Sequence, residues 1–292
     1  GCVLLLDDDE TLKVTACKGY NKEKSQEYRL NLRETFYWNQ TNGNLKQAII
    51  INDIQRLLSD EFPSILENDE IVKVQSSISS PIIVDGKLYG LVNIDSSLNY
   101  VYDDLDLEMM EYLRNQIAIV ISKHKLYEET IYLSRFDNLT NVYNRSYFEE
   151  LCEKHMEEAI RKNQEFYLVL YDLNGLKLVN DTYGHLAGDK LIQAFSSKMN
   201  DFTGPKNIFA RFGGDEFIAI FTDVDLEWLN NGFHQVMKFF KNNPFVFKGN
   251  HISCEFSYGI AKFPEDSNTY NELVRVADER MYKFKKKIKE QL

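Results

Sequence analysis

The segment Ile208-Phe209-Ala210-Arg211-Phe212-Gly213-Gly214-Asp215-Glu216-Phe217-Ile218-Ala219-Ile220 decides the fold of the second half of the chain. Its two apolar runs are typical of strands, and the glycine pair between them predicts a tight hairpin turn. Asp215 and Glu216 then lie beside the tip of the hairpin. Adjacent strand residues face opposite sides of a sheet, so at least one of these carboxylates can reach a site there.

Helices and strands alternate on both sides of this hairpin. We predict helices over 146–161, after Gly188, over 226–241 and from about Thr269, with strands over 166–172 and 252–261. This order indicates an α+β domain with a central, largely antiparallel sheet. Asp172 ends one strand, and carboxylates at strand ends supply the hard oxygen ligands that Mg²⁺ takes. We expect the segment from Asp172 to Asp189 to be a loop whose backbone amides, beside a helix start, bind phosphate.

The first hundred residues are dominated by short strands, starting at Cys2–Leu6 and ending in a hairpin around Asp85-Gly86, a dipeptide that favours a two-residue turn. A long helix is predicted from Leu105 to about Leu133. Its apolar seam has heptad spacing and consists of Met110, Leu113, Ile117, Val120, His124, Tyr127 and Ile131. The seam predicts pairing of the helix with the same helix of a second copy. The alternative is that the early part of the helix packs on its own domain and the later part is a solvated connector.

Composition excludes several classes of protein. Hydrophobic residues make up 43% and charged residues 27% of the 292 residues, as in globular proteins. The net charge of -11 argues against a nucleic-acid or anionic-membrane surface. The four cysteines are scattered, which favours a reducing, cytoplasmic location. The sequence predicts no membrane span in this chain, although its abrupt start at a strand leaves upstream residues, including an anchor, open.

Several ordered motifs give the second half a specific resemblance. The segments 211–217 and 172–189 resemble those of the GGDEF family of diguanylate cyclases. Asp137-Asn138-Leu139-Thr140 resembles the family's opening signature, Ser257-Tyr258-Gly259 its late strand, and the segment from Ala277 to Lys285 its last helix. The resemblance covers residues 136–289, and it implies the condensation of two GTP molecules into cyclic di-GMP.

The resemblance also implies roles for individual residues. Mg²⁺, with Mn²⁺ as a substitute, would be bound by Asp172, Asp215 and the backbone carbonyl of Leu173. Glu216 or Asp215 would deprotonate the attacking 3′-hydroxyl, and Lys177 would stabilise charge at the α-phosphate. The remaining contacts to GTP would come from Asn180 and Asp189 at guanine and from Lys285 and Lys289 at the phosphates. For the two lysines, the alternative is a solvated helix face.

Catalysis in this family needs two domains face to face, so a homodimer is implied. The chain departs from the family pattern in having Asn174 for the second acid and Leu176 for the usual aromatic. Gly204-Pro205-Lys206-Asn207 replaces the Arg-x-x-Asp motif of product inhibition, so we expect no feedback through that primary site. The alternative to an enzyme is a catalytically silent module that binds GTP or a protein partner.

The first half resembles the GAF domain family through the segment 80–95 and the long helix after it. The resemblance implies a sheet with flanking helices that binds an unknown small molecule, or that serves only as a dimerising scaffold. The expected organisation is a GAF-like sensory domain over 1–122, a helical linker over 123–135 and a GGDEF domain over 136–292. The linker would carry the regulatory signal.

Overall fold

The computed structural model describes residues 1–8, 10–20, 27, 29–54, 64–67 and 70–290. The chain divides into two compact units, Gly1–Glu128 and Glu129–Leu292. The first unit contains β1 (Cys2–Leu6), β2 (Thr11–Cys17), β3 (Arg29–Asn31), α1 (Phe36–Thr41), β4 (Ile49–Ile51), β5 (Ser64–Glu67), β6 (Glu70–Lys73), β7 (Ser76–Val84), β8 (Lys87–Ser96) and most of α2 (Asp104–Arg135).

A six-stranded sheet with the order β3-β2-β1-β8-β7-β4 forms the first unit, and all its neighbouring strands are antiparallel. Both faces of the sheet are covered. On β8, Leu91 packs in the same core as Tyr37 of α1, whereas the next residue, Val92, packs with Met110 of α2. The predicted hairpin is confirmed, since Val84 pairs with Lys87 across the turn.

The long helix α2 confirms the predicted helix, and its seam divides into two parts. Met110 is only 2% exposed and, with Ile117, packs on the sheet of the first unit. Val120 and Tyr127 are 66% and 65% exposed. The early part of the seam therefore packs on its own domain, and the dimer contact remains a prediction for the later part.

The second unit is built on a five-stranded sheet. Its elements are β9 (Tyr143–Asn144), α3 (Arg145–Lys162), β10 (Phe166–Asn174), α4 (Leu176–Tyr183), α5 (His185–Thr203), β11 (Ile208–Gly213), β12 (Glu216–Thr222), α6 (Leu226–Asn242), β13 (Phe245–Phe247), β14 (Asn250–Ile252), β15 (Glu255–Phe263) and α7 (Tyr270–Glu290). The order in the sheet is β15-β10-β12-β11-β9. Only the short pair β9–β11 is parallel among these neighbours, so the expected largely antiparallel α+β fold is confirmed.

The interior strand β10 is largely apolar because both of its faces are buried. Val169, Tyr171 and Leu173 belong to one core, which contains α5 and α6. Leu168 and Leu170 belong to the other core, which contains α3 and α7. Residues that alternate along a strand share a face, so Asp172 lies on the same face as Leu170.

The prediction of a phosphate-binding loop between Asp172 and Asp189 is wrong for most of this segment. Two helices, α4 and α5, occupy this segment and meet at Gly184, whose positive φ of 86° permits the sharp break. Leu176 and Val179 on α4 and Leu191 on α5 are buried at helical spacing. The loop is confined to Gly175 and Gly184, and Gly188 lies inside α5 rather than before it.

Within the described parts of the chain, no helix is both long enough and apolar enough to cross a lipid bilayer.

Candidate active site

Two carboxylates stand side by side near the end of β10 and at the start of β12. Asp172 is the direct cross-strand partner of Glu216, and paired residues of antiparallel strands project from the same face. Asp215 occupies the turn, and its carbonyl accepts a hydrogen bond from the amide of Leu173 at 3.0 Å. The sequence predicts Asp172, Leu173, Asp215 and Glu216 at one site, and the structure brings all four together.

The ionisation of Glu216 reflects this crowding. Partial desolvation raises its pKa, and the neighbouring carboxylates Asp215, Asp172 and Asp278 raise it further, while Arg145 acts in the opposite direction. Like charges held close together disfavour ionisation. The site therefore accumulates negative charge that a bound cation would relieve. Asp278 and Arg145 were not assigned to the site from the sequence, because only the packing of α7 and α3 on this face brings them near.

Lys285 reaches this acidic group from α7. Its Nζ lies 2.5 Å from Oδ1 of Asp172, with the two side chains 30% and 15% exposed. Lys285 is expected from the family resemblance to contact substrate phosphates, and in the structure it lies at the same edge but is paired with a carboxylate. Lys289 lies in the last turn of α7, and its side chain is outside the described part of the structure.

The donor atoms at this edge suit Mg²⁺ in chemical type. Among the described residues, no group of three or more His, Cys, Asp or Glu side chains could hold a metal by itself. Mg²⁺ is usually bound by one or two carboxylates, with the remaining positions taken by water and substrate phosphates. Asp172, Asp215 and the Leu173 carbonyl are such a set. Such an ion would need water or phosphate oxygens to complete its coordination.

Arg211 holds the hairpin turn in place. Its Nε and Nη2 donate to the carbonyl of Gly214 at 3.1 and 2.7 Å, and its Nη1 lies 3.1 Å from Oδ1 of Asp137. Asp137 also accepts hydrogen bonds from the amide and hydroxyl of Thr140 at 3.0 and 2.6 Å. Burial would raise the pKa of Asp137, but the hydrogen bonds from Thr140 and the charge of Arg211 lower it overall.

The clamp formed by Asp137, Arg211 and Gly214 joins the segment just after α2 to the turn that carries Asp215. The sequence analysis used these residues as family signatures without giving them a role. An available signal was the spacing Asp-x-x-Thr, which is typical of a side chain that binds backbone amides in a turn.

The pair expected to read a base lies on the helical hairpin. Asn180 is on α4 and Asp189 is on the first turns of α5, where it is exposed, as is Lys177 at the start of α4. The Oδ1 atom of Asn180 is buried and has no hydrogen-bond partner. Buried polar groups are normally paired, so an unpaired one calls for an explanation.

Asn174, which replaces the second acid of the family pattern, is engaged elsewhere. Its Nδ2 donates to the hydroxyl of Ser257 at 3.0 Å, and that hydroxyl lies 3.2 Å from Oδ1 of Asn174. Ser257 is fully buried on β15. The amide therefore joins β10 to β15.

Comparison with family models gives one match in each half of the chain. Residues 134–291 match the model described as diguanylate cyclase, GGDEF domain, and residues 1–122 match the model described as GAF domain.

Curated relatives support the match. Diguanylate cyclase A of Treponema denticola is 23% identical over 235 residues, which cover 77% of this chain and 62% of that protein. The bifunctional diguanylate cyclase/cyclic di-GMP phosphodiesterase MucR of Pseudomonas aeruginosa is 32% identical over 157 residues, covering 54% of this chain and 23% of that protein. The chain thus spans less than two thirds of the length of either relative.

Two solved structures show the same fold. The coiled coil and GGDEF domain of DgcB from Caulobacter crescentus, in complex with c-di-GMP, aligns with a TM-score of 0.55 at 23% identity, covering 61% of this chain and 94% of that one. The GGDEF domain of FimX from Pseudomonas aeruginosa aligns with a TM-score of 0.50 at 24% identity, covering 53% and 95%.

Proposed function

The chain belongs to the GGDEF family, whose model matches more than half of it, and on that premise we propose that it is a diguanylate cyclase. In the reaction, the 3′-oxygen of each GTP attacks the α-phosphorus of the other. Two P–O bonds form, two pyrophosphates leave, and cyclic di-GMP results. The observation that carries the proposal is the cross-strand pair of Asp172 and Glu216, with Asp215 in the adjoining turn.

Each residue of this edge has a part in the proposal. Mg²⁺ or Mn²⁺, bound by Asp172, Asp215 and the Leu173 carbonyl, would neutralise the triphosphate and favour attack at the α-phosphorus. Glu216 is suited to accept the proton of the 3′-hydroxyl, because its raised pKa makes it a stronger base than an ordinary carboxylate. Asp215 is the other candidate for this proton.

Cationic side chains would hold the triphosphate. Lys177, at the exposed start of α4, stabilises the charge that develops at the α-phosphate. Lys285 exchanges its present partner, Asp172, for a phosphate oxygen when the cation and nucleotide bind. Lys289 is proposed as a second phosphate contact from the last turn of α7. Asn180 and Asp189 bind the guanine base, whose N1–H and exocyclic amine donate to a carboxylate in a pattern that adenine does not offer.

Two such sites must face each other, which requires a homodimer. Exposed apolar residues on α2 recur one heptad apart, at Tyr112, Ile119, Leu126 and Leu133 and at Leu113, Val120 and Tyr127. This stripe is the proposed contact with a second copy. The stripe keeps Leu113, Val120 and Tyr127 of the predicted seam, whereas Met110 and Ile117 of that seam pack on the first unit.

Regulation would reach the site through the end of α2. The Tyr132 hydroxyl donates to Oδ1 of Asn141 at 2.8 Å, and Nδ2 of Asn144 donates to the carbonyl of Ser134 at 3.0 Å. We propose that a small molecule bound by the GAF domain changes the pairing of α2 in the dimer. The clamp of Asp137, Arg211 and Gly214 then carries this change to the turn. A cytoplasmic location, where GTP is found, completes the proposal.

The test is product analysis by mass spectrometry after incubation of the full chain with GTP and Mg²⁺, beside an Asp215→Ala variant. The proposal predicts cyclic di-GMP from the parent and none above background from the variant. Binding of GTP without product, even when the chain is held as a dimer by a fused dimerisation domain, would contradict it and indicate a silent GTP-binding module.

A further inference from the structure

Gly188 lies inside α5 at a point where no side chain fits. A Cβ atom placed there would lie 2.0 Å from Oδ1 of Asn180, 2.9 Å from its Cγ and 3.2 Å from Cδ1 of Leu176. Real Cβ atoms essentially never come within 3.0 Å of another heavy atom. Because glycine disfavours a helix interior relative to alanine, some other requirement must explain its presence. That requirement is the close approach of Asn180 on α4.

The position of the Asn180 side chain depends on this contact. Its Oδ1 is buried without a hydrogen-bond partner, so no acceptor contact at that atom fixes the amide. The close approach to Gly188 does so instead. Asp189 is the next residue after Gly188, so the glycine links the two expected base contacts directly.

We propose that Gly188 is a positioning residue that determines base specificity. Its missing Cβ lets the Asn180 amide lie against α5 beside Asp189, so that side chains from two helices read one guanine. This inference rests on the proposed function in taking GTP as the ligand. A methyl group at position 188 displaces the amide and weakens recognition of the base, and it leaves the phosphate end of the site unchanged.

The experiment compares Gly188→Ala with the parent in the full chain. It measures the KM for GTP, the inhibition constant of inorganic tripolyphosphate and the melting temperature. We expect the KM for GTP to rise about ten-fold, the effect of losing one hydrogen bond, while tripolyphosphate inhibits equally well. In an Asn180→Ala background, Gly188→Ala should change the KM for GTP less than about two-fold, because the side-chain amide that the new methyl group would displace is absent.

Gly232→Ala is the matched control. Its Cβ would lie 2.3 Å from Cε2 of Phe202, which is similar crowding at a buried helical glycine on α6. It should lower the melting temperature and leave the KM for GTP unchanged. An unchanged KM in Gly188→Ala, or an equal loss of tripolyphosphate inhibition, would overturn the inference.

Two further outcomes are also decisive. If Gly188→Ala fails to fold and Asn180→Ala/Gly188→Ala folds, the crowding is at Asn180 as inferred. If neither folds, Asn180 is not the neighbour that matters and the inference fails. If the parent binds GTP without making product, the proposed function fails, and the same comparison made on dissociation constants still tests Gly188.

Discussion

Replacing Asp137 by asparagine tests whether the clamp positions the catalytic turn. Asp137→Asn keeps the size of the side chain and one acceptor oxygen, but it removes the charge and the second acceptor that face Arg211. The two atoms of the ion pair are 3.1 Å apart, and the side chains of Arg211 and Asp137 are only 14% and 24% exposed. At this low exposure, solvent screens the pair weakly.

Hydrogen bonds to charged groups contribute about 1.5–3 kcal/mol each, and the amide retains part of that. We therefore expect Asp137→Asn to lower the free energy of unfolding of the second unit by about 2 kcal/mol. Without its ion pair to Asp137, the guanidinium of Arg211 also holds the Gly214 carbonyl less firmly. Because small displacements of a reacting group are costly, kcat should fall at least about ten-fold.

The assay is urea unfolding followed by fluorescence, in a Trp38→Phe background so that Trp228 reports on the second unit. A double-mutant cycle with Arg211→Gln should give a coupling free energy of about 1 kcal/mol or more. Asp266→Asn, which breaks the ion pair with Arg280 in the same unit, should lower stability without a comparable loss of kcat. Coupling below about 0.3 kcal/mol, or an unchanged kcat, would refute the positioning role.

Three further expectations concern other parts of the second unit. Burial lowers the pKa of His155 below 6.5, so as the pH drops the imidazole is protonated in the unfolded chain before it is protonated in the folded one. Stability therefore falls below about pH 6.5. Between pH 7 and 5, the urea unfolding midpoint of His155→Leu should decline less than that of the parent. Lys285→Met should reduce cyclic di-GMP synthesis at least about ten-fold, because it removes a proposed phosphate contact, whereas Lys286→Met, which removes a lysine stacked on Tyr282, should stay close to the parent rate. Added cyclic di-GMP should leave the initial rate unchanged, since Gly204 and Asn207 stand in place of the Arg and Asp of the inhibitory Arg-x-x-Asp motif, and a dose-dependent fall in rate would contradict this.

The elements of the fold were largely predictable because their signals are local. Apolar runs on both sides of Gly213-Gly214 define β11 and β12, and Asp85-Gly86 marks the turn between β7 and β8. The helical hairpin after Gly175 was not predicted. Its polar residues and glycines are typical of a loop. The helices are recognised by the burial of Leu176, Val179 and Leu191 on one side, which only the structure shows.

The site was predictable to a different degree at each residue. Asp172, Asp215 and Glu216 follow from strand ends and from the family motif, and they do lie together. The ion pair of Lys285 with Asp172 and the nearness of Asp278 to Glu216 depend on how α7 packs on the sheet. The contact between Gly188 and Asn180 depends on how closely α4 approaches α5. Such tertiary distances leave no pattern in a single sequence.

The most direct test of the central claim is the initial rate of cyclic di-GMP formation in Glu216→Gln, measured beside Glu255→Gln at the nearby end of β15. Glu216 is the cross-strand partner of Asp172, whereas Glu255 is the cross-strand partner of Asn174. Each substitution removes one negative charge, but the control Glu255→Gln leaves the pair of Asp172 and Glu216 intact. The account predicts a loss of about 100-fold or more in Glu216→Gln, as for the removal of a general base, and a change below about two-fold in Glu255→Gln. Equal rates in the two variants would contradict the assignment of Glu216 to the catalytic site.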